Sequence, residues 1–456
     1  MIIPLSLVSL LGLVSLLLLA SPWPYLAPGA VLGIVGVAVL YRRPAWGLLG
    51  IVAMVPLEGL FKDSTPTGAK LLGASLALIL CLQLAVHQIP SERLRSNLWR
   101  FLIGFMVLYF LSMLLTDNLD LSLVNLHEIS VGLVLFVITL LIGREMNMMM
   151  FCRLVTLSVS LTCALAMLST QYQDQGRAAG LLADPNTFAL LIAFAVPLAL
   201  LLLLKSPGLW QRLLWGGCCL LLLVGMTKTE SRSGLVVLLI TLLIGLYHYR
   251  AQLPRVRPRH LGFAMLGAAI VIPLAIYAMP AGYLARIQSL SILSSGASAH
   301  RDESLGRRAS YIVVGSKMIQ ENPLLGSGPG TFPLHYSVTG YAKAFSIKGA
   351  ANDLYRRAHN TYLETFSELG IPAGLLFVGL LGTGLFNLQR ARAAWLKRHE
   401  WEQADLVTHL AMSLLSLMLF LLFLSAANHK YLWIMLAMSW VLRQTAEQSP
   451  LPERQA

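Results

Sequence analysis

The chain has 456 residues, 57% of them hydrophobic and only 12% charged, with a mean hydropathy of +0.71 and a formal net charge of +13. Its apolar runs reach the roughly 20 residues that a helix needs to cross a hydrocarbon core, and they do not alternate as barrel strands would. That excludes a soluble globular domain and a β-barrel, leaves an all-α polytopic membrane protein, and assigns most of the positive charge to topology rather than to nucleic acid.

In chain order, the expected spans fall at 2–20, 25–41, 45–61, 69–89, 100–116, 127–143, 150–169, 187–204, 209–227, 233–249, 261–279, 371–388, 406–426 and 430–443. Twelve to fourteen transmembrane helices are expected, the last short enough to be re-entrant and one of the early ones not crossing fully. The first run has no charged leader and no small-residue cleavage site before "SPWPY", so it reads as a retained span rather than a signal peptide. Cys81, Cys152, Cys163, Cys218 and Cys219 sit in or beside apolar runs without metal-ligand spacing, which predicts packing roles and no disulfide.

Lysine and arginine in the short loops set the orientation. Loops such as "YRRP", "SERLRSNLWR" and "QRARAAWLKRH", with the C-terminal Arg443 and Arg454, put 19 basic residues on one side. The opposite short loops hold six: Lys62, Lys70, Arg177, Lys228, Arg232 and Lys430. Both termini are therefore expected in the cytoplasm, and the one large loop faces outward. Three regions follow: an N-terminal transmembrane bundle (1–279), a large outward loop containing short helices and ending in the candidate catalytic helix (280–370), and C-terminal transmembrane helices with a cytoplasmic tail (371–456). The large loop carries nine lysines and arginines through position 357 against four acids. Such a surface suits an anionic, phosphorylated partner, and generic attraction to lipid headgroups is the competing reading.

Scarce polar residues crowd into "RRAHNTYLETFSELG" at 356–370. A helix is expected from Asn360, with Asn360, Glu364 and Glu368 spaced i, i+4, i+8 along one face. "GIP" at 370–372 should end it and begin the next span, since proline is tolerated in a first turn. His359 stands at the helix start beside Arg356 and Arg357. Its imidazole has two readings: a general base for a hydroxyl near neutral pH, or a surface group capping a helix. Three more clusters fall on the same side. Arg177 and Asn186 precede the 187–204 span, where Asn186 has a plain capping reading. Arg232 begins the 233–249 span, where snorkelling to the interface competes with function. Arg307 and Arg308 lie on an amphipathic helix followed by "GSGPG". That glycine run lacks the strand before and the Lys-Ser/Thr after that a phosphate loop requires, so it reads as a turn.

Several arginines and one histidine on one face, without clustered acids to hold magnesium or manganese, favour a metal-free, cofactor-free reaction on a lipid-linked diphosphate. A transporter would place ionisable residues at the bilayer midplane and show repeated halves; here the spans are nearly free of charge.

The segment "RRAHNTYLETFSELGIPAGLLF" resembles the signature of the bacterial O-antigen ligase and polymerase superfamily. Arg308 to Tyr311 followed by "ENPLLGSGPGTF" resembles the segment preceding it there, although tryptophan is common where this chain has Tyr311. "TESRSG" and "DPNTFA" match two further landmarks in the right order, so the resemblance covers roughly 170–390. It implies a GT-C-like, metal-independent glycosyltransferase in the bacterial inner membrane, with its active site facing the periplasm. The donor would be a glycan on undecaprenyl pyrophosphate, and the acceptor of a ligase a sugar hydroxyl of the lipid A–core. The partners implied are those two substrates and membrane lipids, with no nucleic acid. His359 would be the base, Arg232 and Arg308 would hold the diphosphate, and Arg177, Asn186, Arg307, Arg356, Asn360, Glu364 and Glu368 would surround the substrates. An O-antigen or exopolysaccharide polymerase shares all of this, and a protein O-oligosaccharyltransferase or a lipid-linked glycan flippase stands further off.

Overall fold

The structure, a computed structural model, describes residues 2–22, 27–61, 68–116, 118–182, 184–249, 303–346 and 354–448, with isolated positions at 262, 265 and 269. The expected span 261–279 and the start of the large loop lie outside these. The fold is all-α: α1 (Ile2–Leu19), α2 (Ala27–Arg42), α3 (Pro44–Met54), α4 (Gly68–Ala85), α5 (Trp99–Leu114), α6 (Leu119–Ile142), α7 (Met148–Leu168), α8 (Pro185–Lys205), α9 (Leu209–Lys228) and α10 (Arg232–His248) precede the large loop. The loop contributes α11 (Glu303–Glu321), α12 (Phe332–Ser337) and α13 (Gly340–Phe345), and α14 (Thr361–Lys397), α15 (Trp401–Phe420) and α16 (Lys430–Gln448) complete the chain. A two-residue hairpin, β1 (Gln173–Asp174) and β2 (Arg177–Ala178), leads into α8.

Among the described residues seven helices are long and apolar enough to cross a membrane: α4, α6, α7, α8, α9, α14 and α15. Val31–Arg42 and Pro44–Gly59 qualify only as a pair, bent by 114° at their junction. The helix breaks at Arg43 (φ −137°, ψ 68°), the residue before Pro44, which a following proline biases away from the helical region. The expected spans 25–41 and 45–61 are thus one broken or re-entrant unit. α5 and α10, at 16 and 17 residues, are shorter apolar helices.

Polar caps fix where the helices begin. Asn118, Asn147, Asp184, Ser231 and Asn360 each accept a backbone N–H in the first turn of α6, α7, α8, α10 and α14. α8 and α16 form the centre of the bundle, with Phe188 to Val196 and Tyr431 to Val441 almost entirely buried. Small residues let helices close in: a Cβ on Gly132 of α6 would stand 2.2 Å from the Trp433 ring of α16. α16, expected to be short, is a 19-residue core helix.

Inside α14, Gly370 takes φ 84°, ψ 171°, a conformation open essentially to glycine alone. The Ile371 N–H that this break frees donates to Pro323 O at 2.8 Å. The helix 361–369 and the span from 371 are therefore separate pieces, and the break seats the loop after α11. The loop helices have a small core of their own, in which Tyr311, Val314 and Met318 of α11 pack on Phe332, Tyr336 and Ala358. Leu363 of α14 packs against this core and lies beside Gly315, which ties α11 to the start of α14.

Candidate active site

A cavity of about 330 Å³ opens at the end of the bundle where α8 and α10 begin. Arg177 of the hairpin, Asn186 of α8, Arg232 of α10, Arg308 of α11 and the pair His359–Asn360 all line it. Six of the ten residues expected from the sequence thus converge from segments up to 183 positions apart. Val236, Ile312, Leu363, Leu422 and Phe423 supply an apolar wall.

The two turns on the α8 and α10 side are tied together. Arg177 Nε donates to Thr229 O at 3.0 Å, and the Ser231 hydroxyl donates to Asn186 Oδ1 at 2.9 Å. Asp184, not Asn186, caps α8, accepting the Thr187 N–H at 2.6 Å. The capping reading of Asn186 is corrected accordingly: its amide joins two helix starts.

His359 is held from several directions. Its backbone is left-handed at φ 50°, an uncommon state for a residue with a side chain. Ahead of it, the Ala358 N–H donates to Glu364 Oε1 at 2.8 Å; behind it, Asn360 Oδ1 caps α14 at the Leu363 N–H, 3.0 Å away. Thr361 then anchors the helix start to the chain after α15, its N–H donating to Leu421 O and its hydroxyl to Leu424 O. The imidazole lies against the Tyr311 ring with centroids 6.0 Å apart and planes inclined by 30°. Burial, and after it the charge of Arg308, pushes the imidazole from its usual value down to about 4, with Arg356 and Arg357 adding to the effect and Asp184 opposing it. At neutral pH it is an uncharged imidazole facing arginines.

Four expected residues stand elsewhere. Glu364 and Glu368 line a second, polar chamber behind the His359 segment, with Tyr109, Asn125, Glu128 and Arg357. The expectation that they share a substrate face with Asn360 fails because Asn360 is the N-cap, with extended φ −156°, ψ 104°, and so lies outside the helical phase. Leu363 faces the cavity instead. Glu364 also accepts the Ser425 hydroxyl at 2.6 Å, and Glu368 accepts the N–H groups of Gly330 and Phe332 at 2.8 and 2.9 Å. Of the "GSGPG" turn, with Gly326, Gly328 and Gly330 all at positive φ, the Gly330 N–H reaches this side-chain carboxyl group, while the Ser327 and Gly328 N–H groups donate to the backbone carbonyls of Ser367 and Glu368. Arg307 donates to Phe345 O at 2.9 Å, tying α11 to the end of α13. Arg356 hydrogen-bonds Tyr311, whose hydroxyl is an acceptor that a tryptophan would lack.

Two residues escaped the sequence reading. Glu230, at φ 50° in the turn before α10, is a carboxylate in the arginine cavity. It stood in plain sight in "TESRSG", a lone acid among basic residues. Asp184 is close enough to act on His359, and only its place before Pro185 hinted at a role. Among the described residues no three His, Cys, Asp or Glu side chains are gathered as a metal site.

No curated protein matches the chain. Residues 217–378, a stretch from α9 to just past the Gly370 break that includes Arg232, Arg308 and His359, match a protein-family model described as O-antigen ligase. Over that stretch the chain is similar to O-antigen ligases, and the match supports the ligase and polymerase superfamily and a transferase activity in general.

Proposed function

We propose that the chain is an O-antigen ligase: a metal-independent glycosyltransferase that moves a glycan from undecaprenyl pyrophosphate to a sugar hydroxyl of lipid A–core at the periplasmic face of the inner membrane. The observation that carries this reading is the cavity itself. Arg177, Arg232 and Arg308 face one space against the single carboxylate of Glu230, with a neutral His359 beside them and an apolar wall for a lipid. Arginines can take the negative charge that grows on a diphosphate leaving group without a metal. The loop-side excess of positive charge favours a phosphorylated acceptor, hence lipid A–core over another repeat unit.

In the proposed step the acceptor oxygen attacks the anomeric carbon while the bond from that carbon to the diphosphate oxygen breaks. Its proton passes to the imidazole of His359, and the polyprenyl diphosphate leaves carrying the bonding pair. Arg232 and Arg308 hold that leaving group, and Asn186 and Arg177 keep the α8 and α10 turns in register. Donor binding also assists the base: a diphosphate beside Arg308 offsets the positive charge that depresses the imidazole, raising its proton affinity when a proton must be taken.

Purified protein given undecaprenyl-pyrophosphate glycan should extend lipid A–core in the presence of EDTA. Polymerised donor in place of that product would make the protein a polymerase of the same superfamily. No transfer to either acceptor would refute the reading.

A further inference from the structure

α10 begins at the arginine cavity and ends, about 24 Å away at 1.5 Å per residue, at a different one. This second cavity, of about 140 Å³, lies between α10, α14 and α15 at the opposite end of the bundle. Ile244, Leu385, Ala411 and Leu415 give it apolar walls, and Arg392 stands among its lining residues with His248. Ile244 is 44% exposed, so the slot reaches the outer surface of the bundle.

Arg392 is set there with a defined aim. Its Nε donates to Thr408 Oγ1 at 3.1 Å, which fixes the guanidinium plane. Asp405, the acid whose charge reaches it, is engaged otherwise: Lys205 pairs with it at 2.9 Å and the Tyr249 hydroxyl donates to it at 3.3 Å. Lys205, Asp405 and Arg392 together leave one positive charge in excess beside an apolar slot. The chemistry that matches is an anion joined to a hydrocarbon chain.

We propose that this slot binds an anionic phospholipid of the leaflet at that end, with the phosphate on Arg392 and the upper part of one acyl chain between α10, α14 and α15. Basic pockets between membrane helices are a recurring way of holding such lipids. The site is separate from the transfer chemistry, and its occupant would brace the same two helices, α10 and α15, whose far ends form the arginine cavity.

The test measures lipid retained on the full-length protein in detergent by native mass spectrometry, with phosphatidylglycerol and phosphatidylcholine of identical chains. Phosphatidylglycerol should be retained in preference by about fivefold, the effect of one basic residue at the surface. Arg392→Gln should abolish that preference, Arg392→Lys should keep part of it, and Ala411→Phe, which fills the slot, should release both lipids. Glycerol phosphate alone should not compete, because the chain supplies part of the binding. An undiminished preference in Arg392→Gln, or undiminished retention in Ala411→Phe, would overturn the proposal, as would full competition by glycerol phosphate. The readout does not depend on glycan transfer, so it stands or falls apart from the reaction proposed above.

Discussion

Glu364 gives the most specific test of how His359 is held. Its carboxylate takes the Ala358 N–H at 2.8 Å and the Ser425 hydroxyl at 2.6 Å, while the next residue along, His359, is in the left-handed region. That backbone state costs about 1–2 kcal/mol for a residue with a side chain, and leaving the buried Ala358 N–H without its acceptor costs about 1–3 kcal/mol. The bond to Ala358 is therefore of the right size to offset the strain. Glu364→Ala removes it and lets residues 358–359 relax towards an extended backbone, turning the imidazole away. At about 1.4 kcal/mol per factor of ten, turnover should fall by at least about tenfold. Glu364→Gln keeps an amide oxygen as acceptor for the Ala358 N–H and should fall between the two. The assay is single-turnover transfer with acceptor saturating, alongside equilibrium binding of the donor, which neither variant should change by more than about twofold because Glu364 lies outside the arginine cavity. Wild-type turnover in Glu364→Ala would refute the positioning argument. A glutamine variant as impaired as the alanine one would mean that charge, not the bond, is what matters.

His359→Ala should reduce transfer by about 10²- to 10⁴-fold while donor binding persists, measured by single-turnover rate and donor affinity. Because the imidazole of the free protein is depressed to about 4, its neutral form persists as pH falls through 6 and 5, so donor kcat/KM, which reports the free enzyme, should stay level there and drop only near 4; an inflection near 6.5 would contradict the burial and charge assigned to it. Arg232→Lys and Arg308→Lys keep a charge but lose the planar fork, so turnover should drop clearly with some donor binding retained; unchanged values for both would mean that these arginines only anchor helix ends. Gly370→Ala would strain a backbone at φ 84° by about 1–3 kcal/mol and place a Cβ 2.3 Å from Leu324 O, so the detergent-solubilised protein should unfold at a distinctly lower temperature.

Much of this arrangement was legible in the chain. Helix starts announce themselves as Asn, Asp or Ser before apolar runs, the Gly370–Pro372 break was evident, and the glycine run at 326–330 read correctly as a turn. The arginines and His359 could be grouped on one side because basic residues in short loops report orientation, and the structure brings Arg177, Arg232, Arg308 and His359 to one cavity. The direction of Glu364 and Glu368 could not be read in the same way. Spacing of i, i+4 says that two residues share a helix face, but which face meets the cavity depends on what packs behind. Here Ser425, Ala358 and the turn at 330–332 claim the carboxylates, and none of these is near them in sequence except Ala358. The bend at Pro44 was hidden for a related reason: hydropathy measures length along the chain and carries no information on direction.

The two chambers differ in the groups they leave for an outside anion. Backbone N–H groups gathered at a glycine turn attract anions, and such a turn lies close to the His359 segment. Glu368 occupies it, however, and Glu128 and Glu364 place two more carboxylates in the same chamber beside Arg357. The Gly330 and Phe332 donors there are already taken, and Arg357 is paired with Glu128. On the other side of the Ala358–Asn360 strip, three arginines face a single glutamate. Glu364 and Glu368 line the other chamber, and Glu364 braces the strip that carries His359. That is why residues with the look of catalytic acids in the sequence are better understood as the wall against which the site is built.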